Sequence, residues 1–131
     1  MKKTVFIFAI LIITTLVNYA ENIVQNDKPA AKIDFTSTVY DYGKIKKDAN
    51  GNCVFKYKNS GNDVLFITRV AKSCGCTTPE YSTEPLMPGQ TAVIKIGYDT
   101  KIVGVFNKKI TVFSNAINSS VILTIKGEII E

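Results

Sequence analysis

Short runs in which apolar and polar residues alternate, each ending in turn-forming residues, constrain this chain most. In the clearest run, Ala92, Ile94, Ile96 and Tyr98 alternate with polar or small residues, as expected for a strand with one buried face. From Lys32 onward, no window shows an apolar repeat at helical spacing. The sequence therefore predicts a domain made almost entirely of strands.

Six or seven strands, about seven in all, are expected between Lys32 and the last residue, and six of them can be placed. They are residues 33–42, ending in a bend at Asp41-Tyr42-Gly43; residues 53–58; residues 64–70, as a hairpin partner of 53–58; a strand from Thr91 after a type II turn at Pro88-Gly89; a strand after Gly104; and a strand from Val121. Cys53, Phe55 and Tyr57 share one face, which we expect to be buried. This pattern predicts an all-β, immunoglobulin-like antiparallel β-sandwich.

The amino-terminal residues have the pattern of a targeting segment. Residues 1–20 combine two lysines, an apolar run and a short exit ending in Ala20, which is typical of a secretory signal peptide. The alternative is an uncleaved anchor, although the apolar run is shorter than the roughly 20 residues of a spanning helix. Residues 21–31 are expected to be a flexible tether before the domain at 32–131. The protein is thus predicted to be exported, periplasmic or extracellular, with membrane contact only through an uncleaved segment.

Composition excludes several kinds of chemistry. The chain has no histidine, which rules out a Ser-His-Asp triad, an imidazole base and a zinc site with histidine ligands. Lysine and arginine number 16 against 11 acidic residues, but the lysines are scattered through the strands, as on solvated faces rather than a nucleic-acid surface. We therefore expect no catalytic residues, no enzyme activity, no cofactor and no nucleic-acid partner.

The three cysteines are an odd number, so at least one is free or paired between molecules. If residues 53–58 and 64–70 form the predicted hairpin, Cys53 lies opposite Arg69, and Cys74 lies about 16 Å further along. That separation exceeds the ~7 Å limit between the Cα atoms of a disulfide. We therefore expect Cys53 to be a buried free thiol.

Cys74 and Cys76 are the candidate redox, disulfide and metal-binding residues. Their Cα atoms would be about 6.5 Å apart in an extended chain, so a disulfide between them needs the tight turn that Gly75 permits. Such a small ring is strained, and strain makes a disulfide easier to reduce. Three roles stay open: a structural loop, a redox or mixed-disulfide site with a thiolate stabilised by Arg69 or Lys72, and a soft-metal site for Cu(I) or zinc.

Several motifs occur together in one order along the domain. They are Asp41-Tyr42-Gly43-Lys44-Ile45, Phe55-Lys56-Tyr57-Lys58-Asn59, Ser73-Cys74-Gly75-Cys76-Thr77, Pro88-Gly89, Tyr98-Asp99-Thr100, Gly104-Val105-Phe106 and Ser114-Asn115. From about Lys32 onward, this combination resembles a bacterial family of exported proteins named domain of unknown function number fifteen seventy-three. The resemblance implies an immunoglobulin-like sandwich related to the Hydin-like and major-sperm-protein-like folds, with Cys74 and Cys76 as the hallmark pair and no established activity. Cys53 departs from the family pattern.

Two functional hypotheses follow from the sequence. The first is an exported, non-catalytic module that binds an unidentified protein or has a structural role, since exposed sheet edges can accept a strand from a partner. The second is a thiol redox or soft-metal protein that uses Cys74 and Cys76. It requires at least one accessible thiol of lowered pKa.

Overall fold

The computed structural model describes residues 28–131, which form eight β-strands in two packed sheets. The strands are β1 (Ile33–Phe35), β2 (Val39–Lys46), β3 (Asn52–Asn59), β4 (Ile67–Lys72), β5 (Thr77–Glu80), β6 (Thr91–Tyr98), β7 (Gly104–Ser114) and β8 (Ser120–Ile130). The first sheet has the order β1-β3-β6-β5 and the second the order β2-β8-β7-β4. The predicted signal peptide, and residues 21–27 of the predicted tether, lie outside the described residues.

The core lies between the two sheets and follows the predicted alternation. Cys53, Phe55 and Tyr57 of β3 are at most 4% exposed. In β6, Ile94 pairs with Phe55 and Ile96 with Cys53, and both isoleucines are fully buried. The predicted all-β immunoglobulin-like sandwich is therefore confirmed, with apolar side chains of both sheets filling its centre.

The opening stretch differs from the prediction. Residues 33–42 are not one strand, because the chain bends at residues 36–38 and β1 and β2 join different sheets. This division adds one strand, and β5 (Thr77–Glu80), which the sequence analysis did not place, brings the total to eight. β2 also runs parallel to β8, so the second sheet is mixed rather than antiparallel. The predicted bend at Asp41-Tyr42-Gly43 is a bulge inside β2, where the pairing shifts between Asp41 and Lys44 and Gly43 has a φ of 62°.

The predicted hairpin of residues 53–58 with 64–70 is wrong. Both edges of β3 are occupied, by β1 and by β6, and β4 pairs with β7 in the other sheet. The intervening loop therefore crosses between the sheets and places Ile67 in the second sheet, where its side chain is buried in the core. As a consequence, Cys53 lies opposite Ile96 and not opposite Arg69.

The turn before β6 and the start of the domain can also be compared with the prediction. The predicted turn at Pro88-Gly89 is confirmed, because Gly89 has a φ of 83° and the Gln90 N–H donates to the Met87 carbonyl at 3.1 Å. Residues before Lys32 also contact the sandwich, since the Ala30 N–H donates to the Asn62 side chain at 2.8 Å. Within residues 28–131 there is no helix long and apolar enough to cross a bilayer.

Candidate functional site

Cys74 and Cys76 lie in the crossover that carries the chain from β4 in one sheet to β5 in the other. The structure joins them by a disulfide, with Cα atoms 5.3 Å apart and Gly75 at the turn between them. Both residues are half-buried. Cys53, by contrast, is a buried free thiol in the core, as predicted.

Hydrogen bonds fix both ends of this crossover. The Ser73 N–H donates to the Lys109 carbonyl at 3.1 Å, and the Lys109 N–H donates to the Ser73 hydroxyl at 3.1 Å. At the other end, the Asp99 N–H donates to the Cys76 carbonyl at 2.9 Å. The disulfide is therefore held against β7 on one side and against the end of β6 on the other.

Thr77, which the sequence analysis did not single out as a site residue, directs its hydroxyl at the disulfide. Its side chain is fully buried, and its Oγ1 lies 3.6 Å from the Cys74 Sγ and 4.0 Å from the Cys76 Sγ. A hydroxyl that donates to sulfur favours the thiolate form. The sequence places Thr77 directly after the cysteine pair, which could have marked it as a site residue. Its burial could not be predicted in the same way, because it depends on the pairing of β5 with β6.

From the sequence we expect Arg69 or Lys72 to stabilise a cysteine thiolate, but the structure shows no contact of either side chain with the two sulfurs. The Arg69 guanidinium lies 4.3 Å from the ring centroid of Phe113 and stacks over that ring. Lys72 is exposed at the last position of β4. Arg69 therefore has an aromatic partner, and Thr77 is the polar side chain that reaches the two sulfurs.

Metal binding at Cys74 and Cys76 stays a prediction that requires the reduced pair, because thiolates are the metal ligands. Among residues 28–131, no group of three or more Cys, Asp or Glu side chains is placed to hold a metal ion. Burial raises the pKa of the Cys53 thiol, which keeps it protonated in the core. Cys53 is therefore poorly suited to either metal or redox chemistry.

Beside the disulfide crossover, β7 extends beyond the end of β4. The last residue of β4, Lys72, pairs with Ile110, whereas β7 begins at Gly104. The N–H and C=O of Lys109 point towards Ser73, and this direction alternates along a strand, so those of Val105 and Asn107 point to the same side. Residues 105–108 therefore form an open strand edge, which we call the β7 edge.

An exposed aliphatic cluster adjoins the β7 edge. It consists of Ile102, Val103 and Val105, of which Val105 is 82% exposed. The exposed Lys72 ends β4, the exposed Lys101 precedes Ile102, and the half-buried Lys108 lies on the β7 edge. None of the three forms an ion pair within the described part of the chain. This end of the sandwich therefore combines apolar surface, unpaired lysines and free backbone groups.

A shallow depression of about 360 Å³ lies on the outer face of the first sheet. Its acidic and basic side chains, Glu80 and Lys95, are paired with each other at 3.7 Å. Asn52, Cys53, Val54, Thr78 and Gly97 also line the cavity, but the Cys53 side chain is buried in the core. It brings together no nucleophile with an adjacent base, so the described residues contain no recognisable catalytic constellation there.

Comparison with protein families supports the family resemblance found in the sequence. The model of DUF1573, a family described as proteins of unknown function, matches residues 33–129. The chain belongs to this family. Among curated proteins, none matches the sequence.

Solved structures show what the DUF1573 domain resembles in fold. A protein of unknown function from Porphyromonas gingivalis W83 is 16% identical with a TM-score of 0.69, over 79% of this chain and 50% of that one. This chain therefore spans half the length of that protein. The seventh PapD-like domain of human CEP192 is 9% identical with a TM-score of 0.66, over 86% of this chain and 96% of that domain. The YadV chaperone is 13% identical with a TM-score of 0.57, over 76% of this chain and 52% of the chaperone.

Proposed function

We propose that this DUF1573 domain is a non-catalytic protein-binding module that acts outside the cytoplasm. The aliphatic cluster carries the proposal, because contiguous exposed apolar side chains at one end of a sandwich mark a surface that gains free energy when a partner covers it. The signal-peptide pattern of residues 1–20 supports the location. The immunoglobulin-like fold supports a binding role, since it resembles a PapD-like domain and a chaperone.

The lack of a suitable concave site among the described residues favours binding over catalysis. Enzymes concentrate titratable groups in a pocket that excludes water. Val105, the most exposed large apolar side chain among the described residues, projects from a strand, and the depression on the first sheet holds an ion pair between Glu80 and Lys95. The exposed surface around Val105 is suited to contact with another protein.

Site-specific crosslinking in the native host tests this proposal. A photoreactive amino acid at Val105 should yield one crosslinked product of defined mass, and Val103→Asp in the same chain should abolish it. The matched control places the same amino acid at Ile122, which is 56% exposed on β8. No product at either position, or the same products at both, would refute a binding surface at the aliphatic cluster.

Thiol–disulfide exchange is a second candidate function, which the contact of the Thr77 hydroxyl with the disulfide favours. An incoming thiolate of a partner dithiol would attack the Cys76 sulfur and form a mixed disulfide. The Cys74–Cys76 bond would break, and its electron pair would leave on Cys74 as a thiolate that Thr77 stabilises. The partner's second thiolate would then release Cys76, so that the partner is oxidised and this cysteine pair is reduced.

Mass spectrometry of the protein isolated from its native compartment tests the second candidate. Alkylation before and after mild reduction should label Cys74 and Cys76 only after reduction, and Thr77→Val should slow that reduction severalfold. Thr78→Val, at an exposed neighbouring position of β5, is the matched control. Equal reduction rates in all three proteins would exclude a role for the Thr77 hydroxyl, and resistance to a dithiol reductant in the folded state would exclude exchange.

A further inference from the structure

We propose that the β7 edge binds an extended, acidic segment of the partner protein, which adds to the second sheet as a further strand. This inference rests on the proposed binding function and names the chemistry of the partner. The added segment lies in line with β4 and continues the sheet beyond Lys72. Four open residues of β7 correspond to about 13 Å of extended chain, which is the length of a short linear motif.

The backbone of β7 supplies the first argument. Val105 and Asn107 direct their N–H and C=O groups to the open side, and no backbone or side-chain hydrogen bond to these groups exists within residues 28–131 on that side. The crossover does not cover them, because it turns towards the first sheet, where the Cys76 carbonyl accepts from the Asp99 N–H. An extended peptide satisfies such groups by β-augmentation.

The other edges of the two sheets are less suited to a partner strand. β1 has three residues, and β5 contains Pro79, which has no N–H to donate. β2 is interrupted by its bulge at Gly43, and β4 has an irregular register between Ile67 and Arg69. Bulges and prolines are common protections of natural edges. The β7 edge is continuous and lacks both.

Charge identifies the partner segment as acidic. Lys72 at the end of β4, Lys108 on the β7 edge and Lys101 just before β7 are without an ion pair in the described part of the chain. The nearby Asp99 carboxylate already accepts from the Lys101 N–H at 3.0 Å. A second copy of this chain would bring like-charged lysines together, which is unfavourable. A segment that alternates aliphatic and acidic residues instead matches both Val105 and the lysines.

A displayed library of random ten-residue peptides, selected against the folded domain, tests the proposal. Enriched peptides should alternate acidic and aliphatic residues, and the bound peptide should protect the amides of Val105 and Asn107 from hydrogen exchange. Asn107→Pro removes one open N–H and should weaken binding at least tenfold, whereas the matched Asn107→Ala should bind as the unaltered domain does. A library without enrichment, peptides without acidic residues, or equal binding by both variants would overturn the proposal.

Charge reversal provides an independent measurement. The double variant Lys72→Glu, Lys101→Glu should bind the selected peptide at least tenfold more weakly, and added salt should weaken binding to the unaltered domain. Lys56→Glu, on the exposed face of β3 in the other sheet, is the control and should leave binding unchanged. An equal effect of all these substitutions would show that the charge contribution is not specific to this edge.

The proposed function and this inference can fail separately. If the crosslink from Val105 persists in Asn107→Pro, the domain binds a partner through its aliphatic cluster but not by strand addition. If the crosslink is absent from the unaltered domain as well, the binding function itself is wrong. Thermal unfolding of each variant, compared with the unaltered domain, establishes that lost binding does not reflect lost folding.

Discussion

At the scale of single residues, Asn59 is the polar side chain on which the loop between β3 and β4 depends. It is fully buried at the end of β3. Its Nδ2 donates to the carbonyls of Asp63 and Leu86 at 2.8 and 2.9 Å, and its Oδ1 accepts from the Gly61 N–H at 3.1 Å. One amide thus closes the loop and attaches it to the distant segment before β6.

Asn59→Ala should lower the free energy of unfolding by roughly 2–4 kcal/mol, because it leaves several buried backbone groups without partners. Urea denaturation measures the change. Asn107→Ala, at an exposed position of β7, should change it by less than about 0.5 kcal/mol. Similar small losses in both variants would show that water or a local rearrangement replaces the Asn59 hydrogen bonds.

Cys53 shows what could be deduced from sequence at this scale. Its alternation with Phe55 and Tyr57 correctly predicts a buried thiol, because side-chain direction in a strand has a period of two. The reasoning that placed it opposite Arg69 is wrong, since its actual neighbour is Ile96. Burial depends on local pattern, whereas pairing depends on which distant strand arrives beside it.

At the scale of elements, the crossover between β4 and β5 does not depend on its disulfide alone. Ser73 and Lys109 are hydrogen bonded at one end, and Cys76 and Asp99 at the other. The bond closes a ring of only three residues, for which the chain-entropy model gives about 1.6 kcal/mol at 25 °C. The domain should therefore remain folded when the bond is removed.

Cys74→Ser combined with Cys76→Ser should lower the free energy of unfolding by roughly 1–2 kcal/mol. Urea denaturation in the absence of reductant is the measurement. The unaltered domain with a dithiol reductant is the control, and it should lose a similar amount. A loss above about 4 kcal/mol in the variant alone would mean that the half-buried sulfurs contribute mainly by packing.

The sequence predicts the strands of this fold better than their partners. β6 has strict alternation over its whole length, and its turn at Pro88-Gly89 has a specific chemistry, so both are predicted correctly. The loop after β3 has the same residue types as a hairpin loop, yet it crosses between sheets. The β7 edge has no sequence signature, because it arises from the end of β4 at Lys72 relative to the start of β7 at Gly104.

At the scale of the whole molecule, buried tyrosine and cysteine side chains make the free energy of unfolding depend on pH in the alkaline range. Burial raises the pKa of Tyr57, Tyr98 and Cys53 above the ordinary values of 10.0 for tyrosine and 9.0 for cysteine. Each group holds its proton more tightly in the folded state. Their contributions are complete below the ordinary values and are lost as the pH rises towards the folded-state values.

The free energy of unfolding should therefore fall between about pH 8 and pH 11. Tyr57→Phe removes one ionising group from the core, so it should make this fall shallower. Urea denaturation at several pH values measures the slope, with Tyr40→Phe at an exposed position as the control. A Tyr57→Phe slope equal to that of the unaltered domain would mean that Tyr57 does not ionise on unfolding in this range.

The parallel pairing of β2 with β8 also determines when the fold can be completed. β8 lies between β2 and β7 in the second sheet, and its Leu123, Ile125 and Ile129 are at most 1% exposed. A chain delivered from its amino end has no place to dock β2 until β8 arrives. Such sequence-distant contacts slow folding, so the second sheet remains incomplete until the final strand has been added.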